Sequence, residues 1–570
     1  MISRKKKSSK KKLGMGLSLA VLLLLGLGCG GEENSRINVS LYGWSDDADD
    51  FVSGLPDYPG AHQVRVKVTR PESREIITER NFPFAERRAD LPEVPAGGGL
   101  RMDFEVRDIG GSILAAGNTP LFDAEETGQN RSFRTLVSRT NQFAPVGQLV
   151  RIQDSNEQRL VQTRFDGREL EVPLGRVGHR GAVTSDGQFL VVGGGEVGAF
   201  HLPSTLPDLQ RTLGDIQLFD PATGYFTELA GDSRARSAGQ IGADRLPTPR
   251  AFPTLTALGN DRFLVVGGFE VVGNSVQPSR AIDLIDLNAE PGSRVRQLLD
   301  LSGSPIRLQD ARGLHTATLR AADGRVVIAG GIGSDTSTVR STFEVINPQL
   351  QGATVEGGLT LQSPRVGHSA LLMEDGRTVW LLGGRSETGA LATTEVLVLG
   401  DTGTISESAA TMSRARFGAS VHPLGPGGNN FIAVFGGFTG LTGGATATIE
   451  LGRPDGAFQS DSSWRMGRAR GEGQLFELPQ SREILIVGGL NPDFTVVPNV
   501  ERIRFLGVAS AEPFFVDEPQ GSMYQRRGGF AAALVSNGRI VLTGGQDRGE
   551  GARNDAEYFN PRDPVIPPRR

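Results

Sequence analysis

Seven arginines recur along the chain, each 17 to 20 residues before two consecutive glycines. A guanidinium group stays charged, and its planar fork of N–H donors fits carboxylates and phosphates. If the seven side chains were exposed on one face, they would form a ring that could attract an acidic ligand. If they were buried, each would instead bond carbonyls or acids of a neighbouring unit, and the sequence leaves both interpretations open. The seven are Arg176, Arg250, Arg312, Arg365, Arg416, Arg470 and Arg527.

The single cysteine of the 570-residue chain is Cys29, which excludes a disulfide framework and a zinc cage built on thiolates. An apolar run over residues 13–28 leads to it, and a basic stretch with seven Lys and Arg residues and no acid comes before that run. The apolar run is shorter than the about 20 residues that a membrane-spanning helix needs, but it suits the hydrophobic region of a secretory leader. The sequence therefore predicts a leader over residues 1–28.

This leader resembles that of bacterial lipoproteins, because the apolar run stops at Leu25-Gly26-Leu27-Gly28, directly before the cysteine. The resemblance implies cleavage before Cys29, lipid on its sulfur and a membrane-bound protein of the cell envelope. In such lipoproteins an aspartate directly after the cysteine favours retention at the inner membrane. Residue 30 is instead a glycine, which indicates an outer-membrane lipoprotein. Residues 29–36 are polar and glycine-rich, as a flexible tether would be. An uncleaved anchor and an ordinary secretory signal are the alternatives.

Composition limits the remaining function classes. Loss of the seven positive charges of the leader changes the net charge from −5 to −12, which disfavours nucleic-acid binding. The chain contains 77 glycines and only 6% aromatic residues, a composition typical of many short strands joined by tight turns. Its length exceeds what one ordinary hydrophobic core supports, so we expect more than one domain or a repeat array.

Residues 37–136 are predicted to form a first domain. Val64-Arg65-Val66-Lys67-Val68 and Met102-Asp103-Phe104-Glu105-Val106 alternate strictly between apolar and polar residues, the pattern of half-buried strands. Between these two runs, a segment rich in proline and glycine is predicted to form a turn-rich connection between strands. The pattern favours a small β-sandwich, and it resembles the immunoglobulin-like modules of bacterial surface proteins.

The glycine pairs define a repeat, with successive spacings of 74, 63, 53, 53, 52 and 56 residues. Between each arginine and its glycine pair, two apolar segments flank a turn such as Asp186-Gly187 or Asn537-Gly538, which predicts a β-hairpin. A third strand follows and carries an acid or amide near its start. The pairs are Gly193-Gly194, Gly267-Gly268, Gly330-Gly331, Gly383-Gly384, Gly436-Gly437, Gly488-Gly489 and Gly544-Gly545. The third-strand residues are Gln217, Asp283, Glu344, Glu395, Glu450, Glu501 and Glu557.

Seven units of four short strands, each about 50 residues long, indicate an all-β chain that ends in a seven-bladed β-propeller. The units resemble kelch repeats in their arginine-led start, double glycine, acidic third strand and aromatic fourth strand. We predict the propeller over residues 137–563 and a Pro/Arg tail over residues 564–570. The tail is too proline-rich to supply an outer strand, so we expect a strand within residues 160–172 to complete the seventh blade. The glycine pairs are interpreted as steric devices and not as cofactor ligands.

The kelch resemblance places the first strand of each unit along a central channel, with the arginines and the loops after the glycine pairs at one face. The longest unit contains two insertions, residues 195–214 and 230–249. The order of the strands within the unit predicts that both insertions lie at the face of the arginines. Long loops on a rigid scaffold are where recognition usually resides. His179, His315 and His368 are interpreted as packing residues, and we predict no metal and no cofactor.

The function predicted from the sequence is therefore non-catalytic: a lipid-anchored scaffold or binding protein whose loop face takes an envelope protein or a glycan. The alternative is a carbohydrate-active enzyme similar to sialate mutarotases, which are kelch propellers that need only acid–base side chains. Galactose oxidase-like chemistry is excluded, because its copper site needs a cysteine linked to a tyrosine and the only cysteine here is Cys29. A purely structural spacer is the third possibility. The sequence does not identify the ligand.

Overall fold

The computed structural model describes most of the chain. The described residues are 20–24, 36–45, 50–53, 55, 57–70, 75–86, 88–91, 97–119, 122–124, 131–154, 157–164, 169–170, 175–198, 206–221, 224–229, 244–333, 338–400, 403–424, 431–478, 481, 483–508, 510, 512–517 and 520–561. Every regular element in these ranges is a β-strand. The chain divides into two compact units, Met1–Thr140 with Phe165–Arg168, and Asn141–Arg164 with Glu169–Arg570.

The strands of the first unit belong to one hydrogen-bonded network. They are Ala20–Leu24, Arg36–Ser45, Asp50–Ser53, Ala61–Arg70, Glu75–Pro83, Arg88–Leu91, Gly97–Asp108, Ile113–Asn118, Phe122–Ala124 and Arg131–Arg139. Most neighbours are antiparallel, but Arg131–Arg139 runs parallel to Arg36–Ser45. The immunoglobulin-like sandwich predicted from the sequence is therefore not established by this topology and stays a prediction.

Two strands of the first unit confirm the alternation found in the sequence. Ala61–Arg70 and Gly97–Asp108 pair antiparallel, and their apolar residues Val64, Val66, Met102, Phe104 and their neighbours are buried in one core. The polar residues between them face away, as the period of two requires. The alternation therefore identified both the strands and their buried face.

Only a short part of the predicted leader lies within the described residues. Ala20–Leu24 forms a strand that pairs antiparallel with Arg36–Ser45 and parallel with Arg88–Leu91. Cys29 and residues 30–35 lie outside the described residues, as does the tail over residues 564–570.

The second unit is a seven-bladed β-propeller. In blades 1 to 6 the chain runs from the inner strand to the outer strand. Blade 1 contains Arg180–Val183, Phe189–Val192, Ile216–Asp220 and Tyr225–Glu228; blade 2 contains Thr254–Gly259, Arg262–Val266, Ile282–Asp286 and Val295–Gln297; blade 3 contains Thr316–Leu319, Val326–Ala329, Thr342–Asn347 and Thr354–Thr360. Blade 4 contains Ser369–Leu372, Thr378–Leu382, Thr394–Gly400 and Gly403–Ser408; blade 5 contains Ser420–Pro423, Ile432–Phe435, Thr448–Arg453 and Gly456–Arg465. Blade 6 contains Gln474–Leu478, Glu483–Val487, Asn499–Phe505 and Phe514–Val516, with Gln520–Ser522 also on its third strand; blade 7 contains Ala531–Leu534, Ile540–Thr543 and Ala556–Asn560.

The inner strands establish that the ring is closed. Each inner strand contacts the inner strands of both neighbouring blades, and that of blade 1 contacts that of blade 7. The second strand of every blade is a continuous apolar run, for example Phe189–Val192 and Ile432–Phe435, and all its apolar residues are buried. Such runs form where both faces of a sheet are covered. The core accordingly consists of apolar clusters, each shared by two adjacent blades.

The outer strand of blade 7 is Gln142–Pro145, which pairs antiparallel with Ala556–Asn560. The prediction that residues 160–172 complete this blade is therefore wrong. Residues 157–164 instead pair with Gly147–Asp154 and with Glu169–Leu170 in a separate three-stranded sheet. The strand that closes the ring precedes this three-stranded sheet in the sequence. The closing strand is therefore not the segment nearest to the first repeat, as the sequence analysis assumed.

The glycine pairs have the predicted steric role. In all seven pairs both glycines have positive φ, near +60° for the first and near +100° for the second. A Cβ atom on Gly193 would lie 2.7 Å from the Arg250 carbonyl oxygen of the next blade. The second glycine, Gly194, donates its N–H to that same carbonyl at 3.0 Å. Any other residue would therefore block the hydrogen bond that joins adjacent blades.

Candidate functional site

The seven repeat arginines are buried, with at most 1% of each residue exposed. Each bonds an acid at the start of the third strand of its own blade. The pairs are Arg176–Asp215, Arg250–Asp283, Arg312–Glu344, Arg365–Glu395, Arg416–Glu450, Arg470–Glu501 and Arg527–Glu557. Most of them also donate to the carbonyl oxygen of the first glycine of the pair, as Arg470 does to Gly488 at 2.8 Å. The arginines therefore tie the first, second and third strands of each blade together.

This burial corrects the hypothesis that the seven arginines form an exposed ring for an acidic ligand. Their charges are compensated inside the blades, so they offer a ligand no free guanidinium group. The pairing takes place within one blade, whereas the alternative considered from the sequence placed it between neighbouring units. Six of the seven third-strand residues named from the sequence are the acids that pair. The exception is Gln217, because in blade 1 Asp215 pairs instead.

A belt of hydrogen bonds joins the inner strands around the channel. At six of the seven junctions, the fourth residue after the repeat arginine bonds the third residue after the arginine of the next blade. The six bonds are Thr254–His315, Thr316–His368, Ser369–Ala419, Ser420–Gly473, Gln474–Phe530 and Ala531–His179. The three histidines thus pack in this belt, as the sequence predicted. Burial lowers the pKa of His315 to about 3 and lowers the pKa of His179 and His368 as well, so all three are neutral.

The belt is interrupted between blades 1 and 2, where the equivalent residue is Arg180. Among the described residues, the Arg180 side chain donates one hydrogen bond, to the carbonyl of its own neighbour His179, at a long 3.4 Å. The Arg180 charge lowers the pKa of Glu472 in blade 6 and that of His315 in blade 3. Neither blade adjoins blade 1, so the Arg180 charge acts across the channel.

The mouth of the channel is formed by the second residue after each repeat arginine. These mouth positions are Gly178, Phe252, Leu314, Gly367, Gly418, Glu472 and Gly529. All seven have φ between +54° and +64°. Glycine adopts this conformation freely, whereas a bulky residue there is strained by about 1–3 kcal/mol. Three blades therefore carry a strained side chain where the other four carry glycine.

Glu472 has an unusual environment among the mouth residues. Its side chain reaches solvent and leans over blade 5, since a Cβ atom on Gly418 would lie 3.3 Å from its Cγ atom. The enclosing blades desolvate its carboxyl group and raise its pKa to about 7, against the opposing effect of Arg180. No ion pair within 4.0 Å joins Glu472 to a described cation. The channel mouth thus holds a guanidinium and a carboxyl group that interact without direct contact.

Sequence analysis missed both Arg180 and Glu472, although the repeat alignment contained a signal for them. Thr or Ser occupies four of the seven positions equivalent to Arg180, and glycine occupies four of the seven equivalent to Glu472. Alignment of the seven repeats identifies the residues that the blades share. Arg180 and Glu472, the candidate functional residues, are instead positions at which one blade differs from the others.

The loops at the mouth face are folded into extra hairpins. Three loops after a glycine pair form two-stranded ladders: Gly195–Val197 with Leu209–Thr212, Phe269–Val272 with Ser275–Pro278, and Phe438–Gly440 with Gly443–Ala445. Apolar clusters pack under them, one around Phe252 and Phe269 and another around Phe417 and Phe438. The first insertion of blade 1 is therefore partly framework. Residues 199–205 and 230–243, the remaining parts of the two insertions, lie outside the described residues.

The described part of the chain has neither a metal-ligand cluster nor a membrane-spanning helix. It contains no group of three or more His, Cys, Asp or Glu side chains placed to hold a metal ion. None of its elements is a helix of the length and hydropathy needed to cross a membrane.

The fold and this channel define a seven-bladed β-propeller. No protein-family model and no curated protein sequence matches the chain. Among solved structures, the chain is similar to YjhT, with 14% identity, 61% of this chain and 99% of that chain covered, and a TM-score of 0.39. It is also similar to a novel fungal alcohol oxidase of the AA5 family in complex with copper, with 15% identity, 69% and 75% coverage, and a TM-score of 0.47.

Proposed function

We propose that this protein is a non-catalytic, kelch-type propeller that is bound to the outer membrane of the cell envelope by a lipid anchor. Its mouth face binds an envelope protein or a glycan. The observation that carries the proposal is the extra layer of hairpins on that face. The opposite face carries short turns such as Asp375-Gly376. A rigid scaffold with one elaborated face is the usual architecture of a recognition surface.

The first test trims the two insertions of blade 1. We predict that replacing residues 199–205 and 230–243 by short Gly/Ser turns leaves the melting temperature nearly unchanged, because the buried flanks Leu209, Leu213 and Leu246 are kept. Capture of a partner from envelope extract should fall. The matched control trims residues 425–430, the segment between the first two strands of blade 5 in the sequence, and should capture normally. Unchanged capture by the folded double-trimmed variant would rule out these loops as the recognition surface.

The second test concerns the anchor. Because lipid attachment needs the Cys29 sulfur, we predict that Cys29→Ser blocks maturation and prevents anchoring through lipid, so that the protein is lost from the membrane fraction. Fractionation, metabolic labelling with a fatty-acid analogue and intact mass measure this. A Cys29→Ser protein that stays membrane-bound and is still cut after residue 28 would contradict the lipoprotein hypothesis.

An enzyme similar to sialate mutarotases is the second candidate. It is supported by Glu472, whose pKa of about 7 suits a general acid or base at neutral pH. A thermal-shift screen with sialic acids, polysaccharides and envelope extracts, followed by NMR of anomer exchange on any sugar that binds, would separate the candidates. Anomer exchange that Glu472→Gln abolishes would favour the enzyme.

A further inference from the structure

We propose that the mouth of the central channel is a binding site for a small carboxylate-bearing molecule, held by the guanidinium group of Arg180 and faced by Glu472 from across the channel. The site is built from inner strands and not from the blade 1 insertions. It therefore goes beyond the proposed recognition role of the loops and stands or falls separately from it.

The first argument is the interruption of the belt at Arg180. Elsewhere, a neutral polar side chain or, in blade 7, a backbone amide at this position bonds the next blade and so has a structural role. Arg180 forms no such bond among the described residues. Its half-buried guanidinium group has one long hydrogen bond, to the His179 carbonyl, and no ion pair within 4.0 Å in the described part of the chain. A bound carboxylate would supply the missing bidentate partner.

The second argument is the unfavourable position of Glu472. Its backbone is left-handed at φ +58°, and its carboxyl group has no hydrogen bond within the described residues. The amide of Glu472 donates to the Gly418 carbonyl at 2.7 Å, a bond that a glycine would also make. The fold thus gains nothing from this side chain. Backbone strain retained without structural benefit is typical of functional positions.

The shape of the mouth limits the ligand. Phe252 lies over Gly178, and Leu314 is half-buried beside it, so blades 2 and 3 form an apolar wall. On the remaining perimeter, Gly367, Gly418 and Gly529 carry no side chain. A ligand with a small apolar body and a single carboxylate would therefore match both this wall and Arg180.

Glu472 makes such binding depend on pH. Arg180 is the charged group that acts on Glu472, and the nearby His179 and His315 are neutral. Deeper in the channel, His422 and Glu477 form their own pair at 3.5 Å. Below pH about 7 Glu472 is protonated and does not repel an anion. As the pH rises through this pKa, its carboxylate forms, repels the ligand and competes for Arg180, so affinity falls.

The test uses the mature full-length protein and isothermal titration with benzoate, which stays ionised across the range. The uncharged isostere benzamide, acetate and inorganic phosphate serve as controls. We expect saturable benzoate binding, weaker acetate and phosphate binding and no benzamide binding. Benzoate affinity should fall about tenfold from about pH 6 to about pH 8 as Glu472 ionises. No saturable benzoate binding below about 10 mM would overturn the proposal.

Four variants make the assignment specific. Arg180→Gln should abolish benzoate binding, and Glu472→Gln should bind benzoate with an affinity that no longer changes with pH. Arg504→Gln, on the exposed outer part of blade 6, should bind as the unmodified protein does. Undiminished binding by Arg180→Gln, or a retained pH dependence in Glu472→Gln, would overturn the proposal. Glu472→Gly should melt at the same or a higher temperature, because glycine removes the strain. A large drop in its melting temperature would instead show a structural role.

Discussion

Replacing Arg470 by alanine is expected to lower the free energy of unfolding of the propeller by about 3–5 kcal/mol, because it leaves the partner carboxylate buried and uncompensated. The side chains of Arg470 and Glu501 are both 0% exposed. Glu501 also accepts the N–H groups of Gly467 and Arg468, at 2.6 and 3.0 Å, so this carboxylate organises the turn that leads into the blade. Urea denaturation of the mature protein, followed by tryptophan fluorescence, measures the loss.

The control for this prediction is Arg504→Ala in the same blade. The Arg504 side chain is 45% exposed and contacts Asp517 at 3.3 Å, so its loss should cost less than about 1 kcal/mol. A double variant, Arg470→Met with Glu501→Leu, should recover part of the stability, because removing both charges leaves neither one buried alone. If Arg470→Ala costs no more than Arg504→Ala, the buried arginine–acid pairs do not stabilise the blades.

The repeating part of the fold was predictable because its interactions are local and occur seven times. The arginine, the hairpin turn, the glycine pair and the acid of one unit bond within the same blade. Arg312, for example, donates to the Gly330 carbonyl and to the Glu344 carboxylate. The same logic identified the buried strands of the first unit, since period two depends only on successive residues.

The remainder depends on contacts that a single repeat does not contain. Gln142–Pro145 closes blade 7 across more than 400 positions, and no local pattern distinguishes it from the strand Glu157–Arg164 nearby. Arg180 and Glu472 act on each other across the channel, 292 positions apart in sequence. Such contacts arise from ring closure, which brings equivalent positions of distant blades to one axis. Because Arg180 and Glu472 differ from the equivalent residues of the other repeats, the sequence could have identified both residues. It could not have predicted that they act on each other across the channel.

Removing the closing strand is expected to abolish the cooperative unfolding of the propeller. Gln142–Pro145 forms four residue pairs with Ala556–Asn560, and the Phe143 ring lies 5.0 Å from that of Phe559. Ala144 and the following Val146 are buried. The lost hydrogen bonds and apolar burial together amount to about 5 kcal/mol, and the third strand of blade 7 becomes an exposed edge that invites aggregation. Calorimetry of chains that begin at residues 140, 147 and 176 measures this.

The chain that begins at residue 147 decides between the two possible closing strands. It lacks Gln142–Pro145 but keeps residues 160–172, the segment favoured by the sequence. We expect the chain from residue 140 to melt in one cooperative transition, and the chains from 147 and 176 to melt earlier and broadly. If the chain from 147 melts like the chain from 140, while the chain from 176 does not, residues 160–172 close the ring after all. A point variant, Phe143→Asp in the full chain, removes the same apolar contact without truncation. It should move the melting temperature in the same direction, since a carboxylate against Phe559 is desolvated without a partner.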